Sequence, residues 1–209
     1  MKRELAVAEK LLQINAVKLN PQNPFTWASG WKSPIYCDNR KILSFPHVRD
    51  FIKSEMTNAI FTEFPDGDVI AGVATAGIPH AALVADLLNL PMIYVRAKPK
   101  EHGLGNQIEG VLAENAKVVV IEDLISTGKS SMEAVEAIQQ TGATVIGVCS
   151  VFNYGFPQAE EIFRHAGIPT LSLSHYNALL EYALQEKKIT DAELATLHTW
   201  REDPANWGK

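Results

Sequence analysis

An α/β fold built on a mostly parallel central sheet flanked by helices is predicted by three observations. Runs rich in β-branched residues recur at 69–74, 92–95, 117–121, 144–149 and 170–173. Stretches with helical spacing alternate with them. The runs are continuously apolar rather than alternating in polarity, as strands buried on both faces should be. The composition supports such a core. A chain of 209 residues, 46% hydrophobic and 21% charged, is long enough to bury its apolar surface without disulfides or structural metal, and it is too apolar for wholesale disorder.

The elements follow in order. Leu5, Ala8, Leu11, Leu12 and Ile14 recur at helical spacing, so 2–14 reads as a helix. Pro21, Asn23 and Pro24 interrupt the chain. Residues 25–41 mix aromatics with Gly30, Pro34 and hydroxyls and read as a short, turn-rich hairpin or hood. Val48, Phe51, Ile52, Met56 and Ile60 mark one face of a second helix. Helices at 81–88, 130–140 and 159–165 then alternate with the strands. Two further helices, 175–187 and 190–200, end the chain, and Thr190 with Glu193 has the spacing of a capping box. The expected organisation is one domain, 1–209: a hood at about 20–42 with the N-terminal helix, a core at about 45–175, and C-terminal helices at 175–200.

Charge and cysteines narrow the class. Nineteen basic against twenty-four acidic residues leave a net charge of −5, where a general nucleic-acid binder carries a basic excess. Cys37 and Cys149 have no neighbouring Cys/His spacing, so neither a zinc site nor a disulfide framework is expected. Reduced thiols suit the cytoplasm. The opening Met1-Lys2-Arg3-Glu4-Leu5 leads into an amphipathic pattern rather than an apolar signal core, and no run approaches the ~18 apolar residues that cross a bilayer. A cytoplasmic location is the expectation.

Two segments carry chemistry. Residues 96–110 include Arg96, Lys98, Lys100, His102, Gly103, Gly105 and Gly110 with almost no apolar anchor. A long polar segment of this kind in a compact α/β domain is expected to be a mobile lid. The second runs from Val118 to Ser131. A buried strand leads into Glu122 and Asp123, a tight turn through Leu124, Ile125, Ser126, Thr127 and Gly128 follows, and a helix opens near Lys129, Ser130 and Ser131. Ligands of parallel sheets bind at the carboxyl ends of strands, and a turn feeding a helix N-terminus offers N–H groups to an anion such as phosphate. Gly128-Lys129-Ser130 mimics the end of a Walker A loop, but the position that loop needs as its first glycine is Asp123. The acids therefore face something neutral or cationic, such as ribose hydroxyls or a metal. Lys129 either assists the phosphate or is solvated. His47, His80, His165, His175 and His198 have no partner pattern and read as structural or surface residues.

The run Val118–Ser131 resembles the phosphoribosyl pyrophosphate (PRPP) motif of type I phosphoribosyltransferases. Arg96, Lys100, His102 and Gly103 resemble the catalytic loop of orotate phosphoribosyltransferases. The segment Phe25–Asp38, with Ser29-Gly30, Lys32-Ser33-Pro34 and Tyr36, resembles their hood. The resemblance spans roughly residues 5–175 and implies the type I phosphoribosyltransferase fold with a small N-terminal hood. It implies transfer of ribose 5-phosphate from PRPP to N1 of orotate, giving orotidine 5′-monophosphate and pyrophosphate in pyrimidine biosynthesis. PRPP binding is then carried over to Arg96, Lys100, His102, Glu122, Asp123, Leu124, Ile125, Ser126, Thr127, Gly128, Lys129 and Ser130. Catalysis falls to Lys100, His102 and Asp123, and the orotate edge to Ser126. Mg²⁺ held mainly by PRPP and water is implied, with no metal ligand from the protein. So is a homodimer in which Lys98 or Lys100 acts on the neighbouring site. The chain departs from one branch of the family at Ala28, Thr75-Ala76 and Ala97, and in having no arginine across Val151–Phe156. Lys32 or the backbone near Ser29 is left for the orotate carboxylate. A purine-salvage transferase and a non-catalytic PRPP sensor are the alternatives. Against the sensor stand the retained lid bases and the acidic balance. Trp27, Trp31 and Tyr36 either stack on a base or pack the hood; Trp200 and Trp207 read as packing or surface residues.

Overall fold

The structure is a computed structural model that describes residues 2–27, 30–98 and 107–208. In chain order its elements are α1 (Arg3–Gln13), β1 (Val17–Leu19), β2 (Phe25–Thr26), β3 (Lys32–Ser33), β4 (Ile35–Cys37), a 3₁₀ helix (Asn39–Ser44), α2 (Pro46–Glu63), β5 (Val69–Val73), α3 (Gly77–Leu88), β6 (Met92–Val95), β7 (Ile108–Glu109), β8 (Lys117–Ile125), α4 (Lys129–Gln139), β9 (Thr144–Asn153), α5 (Pro157–Ala166), β10 (Thr170–His175), α6 (Tyr176–Gln185) and α7 (Asp191–Glu202). They form two compact units, residues 46–173 and residues 1–45 with 174–209.

The larger unit holds a six-stranded sheet in the order β10-β9-β8-β5-β6-β7. The β5–β6, β5–β8 and β8–β9 pairs are parallel, and β7 runs antiparallel to β6. On one face Val69, Ala71, Val73, Val118 and Val120 pack against Met132, Val135 and Ile138 of α4 and Phe163 of α5. On the other face α2 and α3 lie so close that a Cβ on Gly72 would come within 2.9 Å of the Ile78 Cα, and one on Gly147 within 2.3 Å of the Phe64 ring. Burial on both faces is why these strands read as unbroken apolar runs.

The structure corrects several boundaries. β8 does not stop at residue 121, nor β9 at 149. The two remain paired to Ile125↔Asn153, and their mutual ladder carries both strands on through polar residues. α3 starts at Gly77 rather than 81, with Pro79 in its first turn, where a missing N–H leaves no helical bond unmade. The two-residue β7 inside the polar segment was not anticipated.

In the smaller unit the hood is two short antiparallel ladders, β1–β4 (Val17↔Cys37) and β2–β3 (Phe25↔Ser33). The C-terminal helices pack within this unit. Trp200 of α7 is fully buried, donates Nε1–H to the Lys32 carbonyl at 3.1 Å, and meets the Trp27 ring edge-on at 5.6 Å. Trp27 in turn donates to the Ile35 carbonyl at 3.1 Å. Packing thus accounts for Trp27 and Trp200. The capping box forms: the Thr190 N–H donates to Glu193 Oε2 at 2.9 Å, and the Glu193 N–H to Thr190 Oγ1 at 3.3 Å. Among the described residues no helix is long and apolar enough to cross a membrane.

Candidate active site

The sheet order reverses at one place. β6 follows β5 in the chain and lies on one side of it, whereas β8 lies on the other. The crevice beyond the carboxyl ends of β5 and β8 is therefore the topological switch point, where open α/β sheets take their ligands. The β5–β8 register ends at Gly72↔Ile121. Glu122 and Asp123 are the next residues of β8, while β9 continues beside them at Glu122↔Ser150. The two acids thus sit where one flank of the strand has lost its partner. Across the gap, α3 begins at Gly77. A Cβ there would lie 2.5 Å from the Ile121 carbonyl oxygen and 3.4 Å from the Glu122 Cα, so only glycine lets a helix start this close to the acids.

Glu122 is 5% exposed. Its Oε1 accepts the Asp123 N–H at 3.1 Å and its Oε2 accepts the Ser131 hydroxyl at 3.2 Å. Burial, then the negative Asp123 beside it and a hydrogen bond between the two carboxyls, push its pKa up to about 8. Burial and the neighbouring carboxyl thus favour the protonated form of Glu122. Asp123 itself is half-buried.

Beyond the acids, Leu124 pairs with Phe152. Ile125 is buried in the core and its carbonyl accepts the Tyr154 N–H at 3.0 Å. The turn proper is thus Ser126-Thr127-Gly128, shorter than the sequence suggested, and the Ile125 side chain faces the core rather than the crevice. Gly128 has φ 78° and caps α4 with no side-chain hydrogen bond. Its missing Cβ would lie 3.1 Å from the Phe163 ring. A helix that begins without a side-chain acceptor keeps its first N–H groups open to an anion. Ser130 is exposed; Lys129 is 80% exposed, 3.8 Å from Glu133.

Arg96 is held at the sheet edge by β7. Its N–H donates to the Gln107 carbonyl at 2.9 Å, the Gln107 side-chain amide donates back to the Arg96 carbonyl at 2.8 Å, and the guanidinium lies 3.6 Å from Glu109. Lys100, His102 and Ser29 lie outside the described residues. Lys32 donates to Thr26 Oγ1 at 2.9 Å. His80, in the first turns of α3, is 3% exposed, and its Nε2 has no hydrogen-bond partner among the described residues. Desolvation lowers its pKa to about 4, so it stays neutral, in keeping with a structural role. Two residues that shape the site, Gly77 and Ser131, were not singled out from sequence. Each acts through a tertiary neighbour, and only the hydroxyl run 126–131 hinted at the second.

Known proteins resemble this chain throughout. A model described as "Phosphoribosyl transferase domain" matches residues 43–187. An orotate phosphoribosyltransferase of Bacteroides thetaiotaomicron is 58% identical over 204 residues, covering 98% of this chain and 96% of that protein. One from Listeria monocytogenes is 54% identical over 209 residues, all of both. The crystal structure of orotate phosphoribosyltransferase from Aeropyrum pernix is 28% identical with a TM-score of 0.75, covering 86% of this chain and 98% of that one.

Proposed function

The chain belongs to the phosphoribosyl transferase family, and on that premise we propose that it transfers ribose 5-phosphate from PRPP to orotate, releasing pyrophosphate and forming orotidine 5′-monophosphate for pyrimidine biosynthesis. It is an enzyme, a phosphoribosyltransferase. The observation that carries the reading is the pairing of an acid-bearing strand end with an uncapped helix start at the switch point of the sheet.

The residue roles follow from chemistry. The N–H groups opening α4, with Ser126, Thr127, Gly128, Lys129 and Ser130, are assigned to the 5′-phosphate. The Glu122–Asp123 pair is assigned to the ribose hydroxyls, which donate to the Asp123 carboxylate while Glu122, buried behind it and hydrogen-bonded to Ser131, holds Asp123 in place. As the bond from C1′ to the diphosphate oxygen breaks, positive charge spreads over the ribose ring, and Asp123 beside it is the compensating charge. Negative charge builds on the leaving diphosphate, and Arg96, Lys100 and His102 are assigned to neutralise it. Ser126 is assigned to the orotate edge. Among the described residues no three His, Cys, Asp or Glu side chains gather into a metal site. Mg²⁺ is proposed to reach the site on diphosphate oxygens and water, because it binds diphosphate oxygens, keeps several waters and needs few protein ligands. When bound it offsets charge on the diphosphate.

A homodimer in which Lys98 or Lys100 serves the neighbouring site is carried over from the resemblance. Two inactive variants, Asp123→Ala and Lys100→Ala, should recover partial activity when mixed. Lack of recovery despite proven subunit exchange rules the sharing out. A cytoplasmic setting is supported by Cys37 and Cys149 standing as reduced thiols outside any disulfide. The activity is tested by mixing the protein with Mg²⁺, PRPP and orotate and following the loss of orotate absorbance. Turnover of a purine base in place of orotate would move the protein to salvage.

A further inference from the structure

We propose that Ser131 is a positioning residue for PRPP, clasping the two ends of the phosphate turn by its hydrogen bond to Glu122 and so setting the distance between the diol-binding acids and the phosphate-binding helix. The proposal rests on the reading of Glu122–Ser130 as the PRPP site.

The argument begins with burial. Ser131 is 1% exposed and Glu122 5%. A hydroxyl and a carboxyl hidden from water are costly unless they satisfy each other, and here they do so at 3.2 Å. The bond joins residues nine apart in the chain. One belongs to β8, the other to the first turn of α4, and between them lie the end of β8 and the Ser126-Thr127-Gly128 turn that would hold the sugar phosphate. Side chains at the helix start add no second clasp. α4 starts with no side-chain cap, on a Gly128 in the left-handed region, and Lys129 and Ser130 point to solvent.

The ligand explains why a clasp matters. The hydroxyls and the 5′-phosphate of one ribose lie only a few bonds apart, so holding the acids and the α4 N–H groups at a matching distance lets both arms bind at once. Ser131 has a second effect through Glu122. Both Glu122 oxygens accept hydrogen bonds from within the protein, one from Ser131 and one from the Asp123 N–H. The carboxyl is thereby locked against Asp123, and Asp123 is aimed by a chain that begins at Ser131.

Calorimetric titration of the full-length protein with ribose 5-phosphate, with PRPP plus Mg²⁺, and with inorganic pyrophosphate tests the proposal. Ser131→Ala should weaken ribose 5-phosphate and PRPP by about tenfold, the scale of one lost hydrogen bond to an acid, and leave pyrophosphate unchanged. Ser131→Thr keeps the hydroxyl and should restore affinity. Ser131→Cys keeps the volume with a weak donor and should show the same selective loss should the alanine variant fold poorly. The loss from Ser131→Ala should vanish in a Glu122→Ala background, because the two act as one unit. Equal weakening of all three ligands, affinity for ribose 5-phosphate within twofold of wild type, or an undiminished loss in the Glu122→Ala background overturns the proposal while the PRPP reading stands. A wild-type protein that binds neither ribose 5-phosphate nor PRPP overturns both.

Discussion

The neighbouring strands β5 and β8 end at the same crevice, and their ends differ completely in kind. β8 ends in side-chain chemistry: Glu122 and Asp123, then Ser126, Thr127, Ser130 and Ser131. β5 ends in Ala74, Thr75, Ala76 and Gly77, which offer backbone and one hydroxyl. Yet each is followed by a helix that starts with no side-chain cap, α4 at Gly128 and α3 at Ala76. One edge of the crevice is therefore specified by functional groups and the other by clearance, since a single methyl at Gly77 would meet the Ile121 carbonyl at 2.5 Å. Two strand ends can serve one site while only one of them carries a recognisable motif.

The contrast is most sharply exposed by Asp123. Asp123→Asn should lower kcat/KM by about 10²–10³, the range seen when one charge-stabilising group is removed from a reacting centre, with the folded state no less stable because a negative neighbour of Glu122 is gone. Steady-state kinetics with a thermal melt checks both; near-wild-type kcat/KM would remove side-chain chemistry from the β8 end.

At the β5 end the expected effect is on stability. Gly77→Ala should cost about 1–3 kcal/mol through overpacking against β8, which lowers Tm by about 2–4 °C for each kcal/mol in a chain of this size. A conserved Tm would mean that α3 can move away freely, and clearance would not be what shapes that edge.

A pH slope tests the buried acid itself. Glu122 keeps its proton when folded up to a pH of about 8 but releases it in the ordinary carboxylate range when unfolded. Below that range both states are protonated and stability is unaffected. Between it and about 8 the unfolded state has lost a proton that the folded state retains, so stability falls as pH rises, by at most ~1.4 kcal/mol per pH unit. Above about 8 the loss is complete. Glu122→Gln, which cannot ionise, should flatten this slope in ligand-free denaturation measured from pH 5 to 8. A variant with the wild-type slope would place the titrating group elsewhere.

Much of this was legible beforehand. The strands announced themselves because burial on both faces demands unbroken apolar runs, as in Val118-Val119-Val120-Ile121. The acid pair and hydroxyl-rich turn announced themselves because their residue types are rare together after such a strand. The ends of β8 and β9 did not, because polar residues were held in strand form by the partner strand, from Glu122↔Ser150 to Ile125↔Asn153. The packing role of Trp200 was equally hidden, since its partner, the Lys32 carbonyl, is 168 residues away.

The sequence by itself determined the layered α/β class and the residue types gathered at the β8 end, because periodicity and residue type are local properties. Only the tertiary structure decided that Ser131 answers Glu122, that burial raises the Glu122 pKa, and that Gly77 brings α3 against the acids. Hydrogen-bond partners, desolvation and clearances of a few tenths of an ångström arise between segments, and no local pattern encodes them.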